Sequence, residues 1–119
     1  MGPLLLFDEK YKIFTYAGLE ISHAISTRHT FNEADFNVSY HTGGEQQVLS
    51  NRTQLKQYFL GASGMTIPKQ CHGVHVYEVK AGSHSSIPED TDALITNERG
   101  HVLGVLSADC VPLLFYDPV

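Results

Sequence analysis

Two short apolar runs, residues 102–106 and 113–116, stand on either side of the small polar stretch Ser107-Ala108-Asp109-Cys110. Each run is too short for a buried helix and rich in branched or aromatic residues, so the pattern predicts a strand, a bend and a second strand. Pro112 cannot donate to a ladder and pushes Val111 towards an extended conformation. The bend then carries a carboxylate, Asp109, and a thiol, Cys110. A lone Cys is readily explained as a small core hydrophobe, but a buried Asp requires a partner, and the pair together points to chemistry at the bend.

The same patterning predicts the remaining elements. Residues 4–7 and 11–16 read as short strands around the polar turn Asp8-Glu9-Lys10. Residues 21–26 alternate, with Ile21, His23 and Ile25 on one face, and His23 at that spacing reads as a hydrogen-bonded strand histidine. A long polar loop follows over residues 27–45, with Phe31, Phe36 and Tyr40 interleaved as anchors. Residues 47–60 carry a helical stripe of Val48, Leu55, Tyr58 and Phe59 that Gly61 is suited to end, with Ser50 or Asn51 as alternative caps for a later start. Residues 61–68 read as a connector. Residues 71–79 read as one strand that places His72, Val74 and Val76 on one face and His75, Tyr77 and Val79 on the other; Cys71 then faces away from His72 and reads as a packing residue. A Ser/Gly/Pro loop over 81–89, a strand over 91–96 and a turn at Asn97-Glu98-Arg99-Gly100 complete the chain.

Length and charge narrow the partners. The 119 residues suffice for one domain with a modest core, and residues 1–119 are read as a single domain. A net charge of −5 with no basic stripe argues against nucleic acid as the main partner, although one or two local donors still allow a small phosphate-bearing ligand. Two cysteines without framework spacing suit a reducing compartment. The apolar start is too short for a signal h-region or a membrane span, so a cytoplasmic protein without membrane attachment is expected, and the two glycosylation sequons at Asn37 and Asn51 read as chance matches.

Motifs with a self-contained mechanism are missing: there is no zinc-finger spacing, no phosphate loop with Lys and no Gly-x-Ser-x-Gly elbow. The candidate chemistry is dispersed among Arg28, Asn37 and His41 in the long loop, Cys71 and His72 at a strand start, and Asp109 and Cys110 at the bend. A thiolate and an imidazole are a plausible subset of a catalytic zinc site, but the sequence separation of His72 and Cys110 says little by itself.

Three blocks, in order, resemble the multicopper polyphenol oxidoreductase (laccase-domain) family, which is also described as a family of purine nucleoside phosphorylases. Ser26-Thr27-Arg28 with Asn37-Val38-Ser39-Tyr40-His41-Thr42-Gly43 resembles its Ser-Thr-Arg … Asn-Leu … His-Val-Gly loop. Gln70-Cys71-His72-Gly73 resembles its Gln-Val-His-Gly, with Cys71 in place of Val. Thr91-Asp92-Ala93-Leu94-Ile95-Thr96 with Ser107-Ala108-Asp109-Cys110-Val111-Pro112 resembles its Ala-Asp-Ala-Leu-Val-Thr … Thr-Ala-Asp-Cys-x-Pro.

The resemblance implies an α+β fold, a mixed-sheet layered sandwich, here the N-terminal part of the family fold. It implies zinc as cofactor, with copper as the alternative, held by His72 and Cys110. The family's third ligand lies in a later His-Ala-Gly-Trp-Arg-Gly block that has no match among these residues, so the resemblance implies a truncated chain that by itself has little activity. The implied reaction is phosphorolysis of purine nucleosides (inosine, adenosine, guanosine, methylthioadenosine), with adenosine deamination as a second activity. Copper-dependent polyphenol oxidation and an inactive fragment are the alternatives. Arg28 and Asn37 are the expected phosphate and substrate contacts, with Arg28 reaching the pocket of His72 and Cys110. Asp109 is the expected catalytic carboxylate and His41 a further candidate. The expected partners are a purine nucleoside and phosphate, with self-association into a homo-oligomer left open.

Overall fold

The computed structural model describes residues 4–81 and 87–119, and the part of the 81–89 loop at 82–86 lies outside the described residues. Among the described residues, one α-helix, a short 3-10 turn at Thr30–Asn32 and three small sheets make up an α+β chain, the class expected from the sequence, and the chain divides into two compact units.

The first unit comprises residues 1–52 with residues 114–119. Strands β1 (Leu5–Asp8), β2 (Ile13–Tyr16) and β3 (Ile25–Ser26) form an antiparallel sheet in the order β1-β2-β3. The turn between β1 and β2 forms because the Asp8 carboxylate accepts from the amides of Lys10 and Tyr11, at 2.8 and 3.2 Å. Register follows from this turn: Asp8 faces Ile13, and Leu5 faces Tyr16. The strand expected over 21–26 is reduced to Ile25–Ser26, because the chain before it is held by His23 instead of a ladder. Its imidazole Nε2 accepts from the Tyr16 amide at 2.7 Å, and Nδ1 lies 2.7 Å from the Ile21 carbonyl. His23 is thus hydrogen-bonded, as its position predicted.

Ile13 is fully buried and heads β2. Beside it, the Lys12 carbonyl accepts from the hydroxyls of Thr27 and Thr30 at 2.7 and 2.9 Å, which fastens the start of the long loop to the sheet. The aromatic anchors behave as their interleaving predicts: Phe31 packs edge-on to Phe36, with ring centroids 5.3 Å apart, and to Tyr11 at 6.1 Å.

Helix α1 (Glu45–Tyr58) begins two residues before the expected start, with Glu45 in its first turn and Lys56 in its last, each favourable to the helix dipole. Its buried positions are Val48 and Asn51. Asn51 is completely enclosed and so is no glycosylation site. Its amide donates to the Asn37 carbonyl at 2.7 Å and accepts from Gln47 at 3.0 Å. Arg52 donates to the Val38 carbonyl at 2.8 Å and lies 4.4 Å from the Tyr40 ring centroid. Burial lowers its pKa, and the neighbouring Tyr40 opposes that shift. Two adjacent helix residues therefore bind the loop at three points, Asn37, Val38 and Tyr40. Gly43 sits where the two meet: a Cβ there would lie 2.6 Å from Asn37 Nδ2 and 2.8 Å from Val48 Cγ2. Gly43→Ala is expected to destabilise the chain by about 1–3 kcal/mol through overpacking, read as a lower urea midpoint.

The second unit comprises residues 53–113. Strand β4 (Gly64–Thr66), in the stretch expected to be a connector, pairs in parallel with β7 (His101–Leu103), and β5 (Val76–Val79) pairs in parallel with β6 (Ala93–Thr96). Three residues are too few to show a strand pattern, and β4 exists because β7, far along the chain, offers a partner for it. Buried Thr66 and His101 join the two strands through a 2.7 Å contact between Oγ1 and Nε2. In β5 the alternation is as expected, with Val79 buried and Val76 and Glu78 exposed.

Two apolar runs depart from expectation. The strand over 102–106 is confined to its first part, and residues 113–116 carry no ladder, with Leu113 68% and Phe115 88% exposed. Backbone N–H and C=O groups make a strand only when a neighbour accepts them, and among the described residues none lies alongside this run.

Candidate metal and substrate site

In the second unit, the strand expected over 71–79 does not begin until Val76. The reason is Asp92. Its Oδ1 accepts from the amides of Cys71 and Gly73 at 3.2 and 2.9 Å, and its Oδ2 accepts from the amide of His72 at 2.9 Å. Three amides that a ladder would need are committed to one carboxylate. His72 takes a left-handed φ of 64° within this turn. The turn thus removes the opposite-face relation that a strand would impose on Cys71 and His72. Cys71 is exposed and not packed, and its thiol donates to Asp92 Oδ1 at 3.3 Å. That bond is the main cause of a raised Cys71 pKa, while the amide of Gly73, with those of Cys71 and His72, holds Asp92 below the usual carboxylate range despite an opposing desolvation effect.

Gln70 provides a second tie. Its side-chain amide accepts from the Leu106 N–H at 2.7 Å and donates to the Leu106 carbonyl at 2.9 Å, imitating a strand partner. The His72 turn is thereby fastened to the backbone four residues before Cys110. Residues 108–110 form the expected bend, where the Ser107 hydroxyl donates to the Cys110 carbonyl. Asp109 and Cys110 are both exposed, so Asp109 is not the buried carboxylate in need of a partner that the apolar flanks suggested. Among the described residues, no hydrogen bond or ion pair engages the His72 imidazole or the Cys110 thiol. An uncommitted imidazole and an uncommitted thiol fit the donor chemistry of zinc. Among the described residues, no group of three or more His, Cys, Asp or Glu is placed to hold a metal ion.

The other candidates lie in the first unit. Arg28 is largely exposed, and among the described residues its guanidinium is engaged only by Asp35, with 3.9 Å from Nε to Oδ1. An exposed pair at that distance contributes little and leaves the terminal fork available. Asn37 is half-buried and organises its own loop: Oδ1 accepts from the Ser39 amide at 2.9 Å, and Nδ2 donates to Thr42 at 3.0 Å. It lines a pocket of about 300 Å³ with Glu33, Asp35, Thr42 and Gln47. His41 is exposed, and its backbone amide donates to Ser39 Oγ at 3.3 Å.

Sequence reasoning passed over Asp92 and Gln70 as site residues. Both stand inside the quoted motifs, and the available signal was an Asp directly ahead of a strand together with a Gln two residues before a candidate ligand. Asn51 carried no such signal.

Comparison with known proteins supplies the remaining context. The chain is 39% identical over 87 residues to a purine nucleoside phosphorylase of Corynebacterium glutamicum, covering 71% of this chain and 35% of that protein. It is 34% identical over 113 residues to a purine nucleoside phosphorylase of Bacteroides thetaiotaomicron, covering 82% of this chain and 41% of the relative. A purine nucleoside phosphorylase of Geobacillus stearothermophilus is 28% identical over 111 residues, covering 86% and 40%. The chain therefore spans at most about two-fifths of the length of these relatives. No solved structure matches it. Among the described residues, no helix is long and apolar enough to cross a membrane. The model of the multi-copper polyphenol oxidoreductase laccase family matches residues 22–119, a span that takes in every block discussed above, and the chain belongs to that family.

Proposed function

We propose that this chain forms part of a zinc-dependent purine nucleoside phosphorylase, with adenosine deamination as a second activity of the same site. The observation that carries the reading is the double hydrogen bond of Gln70 to Leu106, which ties together the two segments bearing the uncommitted donors His72 and Cys110. The relatives named purine nucleoside phosphorylase support the substrate class. His72 and Cys110 would hold the metal. Zinc bound there would supply Lewis acidity and an activated water at neutral pH, with a water pKa near 7.

In phosphorolysis a phosphate oxygen forms a bond to the anomeric carbon of the ribose as the bond from that carbon to the purine nitrogen breaks. The purine departs with the bonding pair and requires a proton. Arg28 binds the phosphate through its planar fork, and its exposure leaves it free to do so. Asn37 contributes to substrate recognition from the pocket that it lines, whose Glu33 and Asp35 carboxylates accept hydrogen bonds and suit sugar hydroxyls better than an anion. Asp109, exposed next to Cys110, moves or holds a proton there. His41 is a further candidate contact.

The test is release of purine base from inosine with phosphate present and absent, before and after chelation of the metal, on the intact protein. Phosphate-dependent release abolished by chelation is expected. Oxidation of a polyphenol by the copper-loaded protein, without nucleoside cleavage, would overturn the reading. Arg28→Ala is expected to raise the KM for phosphate by about 10- to 100-fold. An unchanged phosphate dependence would reduce Arg28 to a surface residue.

A further inference from the structure

The Asp92 carboxylate makes more contacts with the His72 turn than any fold requirement of β6 explains. It stands immediately before β6, whose ladder runs from Ala93 to Thr96 without it. Its own amide donates to the His75 carbonyl at 3.2 Å, which places it beside the chain that leads from the turn into β5. Its side chain then reaches back to three consecutive amides and one thiol. The division between its oxygens is uneven. Oδ1 takes Cys71 N–H, Gly73 N–H and the Cys71 thiol, whereas Oδ2 takes the His72 amide alone. One carboxylate oxygen is thus devoted to the backbone of a residue whose side chain has no hydrogen bond or ion pair among the described residues.

We infer that Asp92 is a positioning residue that fixes the direction of the His72 imidazole through the His72 backbone. The inference rests on the proposed role of His72 as a metal ligand. The physical argument is local. His72 is a non-glycine residue at φ 64°, a conformation that side chains with a Cβ adopt at a cost. Some surrounding structure must hold it there, and Asp92 supplies three charge-assisted hydrogen bonds to the turn. With φ held, the direction of the Cα–Cβ bond is set, and the ring has only its two side-chain torsions left to lose on binding a metal. Without the carboxylate, the 71–73 amides would be released to water or to a ladder continued from β5. Continuation of the strand would turn His72 away from its present direction.

The experiment uses the intact protein with zinc, and cobalt(II) as a spectroscopic probe of thiolate and imidazole ligation. Asp92→Asn is nearly isosteric. It keeps an acceptor for Oδ1 contacts but sets an N–H against the His72 amide. Zinc affinity is expected to fall by about 10- to 100-fold, the range for loss of a group that orients a ligand, and the His72 amide should exchange its hydrogen faster. Cys71→Ala removes the thiol contact and keeps the three amide bonds, and its zinc affinity should match that of the parent. Should Asp92→Asn fail to fold, Asp92→Ser, which keeps a short acceptor, gives the same comparison, and the affinity ordering parent, Ser variant, His72→Ala is expected. If His72→Ala weakens zinc binding and Asp92→Asn does not, the positioning role is overturned while the metal reading stands. If Cys71→Ala weakens zinc as much as Asp92→Asn does, the thiol and not the backbone frame is responsible, and the inference is overturned. If His72→Ala leaves zinc binding unchanged, the metal reading falls first and takes this inference with it.

Discussion

His72→Ala and Cys110→Ser are each expected to weaken zinc binding to the intact protein by more than about 100-fold, beyond the range for loss of a merely supporting group. The two donors differ in how they contribute. As a ligand the Cys110 sulfur would supply a soft donor, and Ser would not replace it because a hydroxyl is a poor ligand for zinc. The imidazole of His72 would bind through one ring nitrogen and leave the second for a partner. Both side chains are exposed, and neither has a protein hydrogen bond to lose among the described residues, so their removal should leave the unfolding midpoint of the metal-free protein nearly unchanged. That contrast is the diagnostic. Metal content after dialysis and competition with a chelator measure the first quantity, and urea unfolding of the apo protein measures the second. Parent-like zinc affinity in either variant would show that the residue is no ligand.

Ile13→Ala is expected to cost about 2–5 kcal/mol of folding stability, the range for truncating a fully enclosed branched side chain to a methyl group. Ile13 is 0% exposed, and it faces both Asp8 and Ser26 from the head of the middle strand. Its neighbour Lys12 offers the carbonyl on which Thr27 and Thr30 are fastened, so a shift of β2 is transmitted to the loop that carries Arg28. The urea midpoint should fall with little change of slope. Leu6→Ala on β1 is the control: Leu6 is 44% exposed and should lose far less. A loss at Ile13 no larger than at Leu6 would mean that the cavity collapses or that the core of this unit lies elsewhere.

The helix, the hairpin with its Asp8 turn and the class of the fold were all legible along the chain. Each depends on contacts between residues near in sequence: a 3.6-residue stripe, a side chain reaching amides two or three positions on, a period of two. The bend at residues 108–110 was legible for the same reason, since Pro112 acts on its own neighbourhood. The candidate ligands His72 and Cys110 came from motif resemblance and not from periodicity.

Other features were decided only when distant segments met. Strand β4 exists because β7, whose residues lie 37 positions after their partners, offers a parallel edge, and three residues have no pattern of their own. The run at 113–116 has every local property of a strand and forms none, because hydrogen bonds to a neighbour, and not apolar composition, make a ladder. The sharpest case is residues 71–75. Locally they continue β5, and alternation would send Cys71 and His72 to opposite faces. A carboxylate 20 positions away takes their amides instead, at distances of 2.9–3.2 Å, and converts strand into turn. Asn51 shows the same logic inside a helix: the sequence offered it only as a cap for a later start, yet the Asn37 carbonyl, 14 residues earlier, draws it into the interior. Amino-acid sequence alone determined which local elements were affordable and which side chains could do chemistry. Tertiary structure decided where each backbone N–H and C=O found its partner, and at residues 71–73 that choice sets the backbone from which the His72 side chain projects.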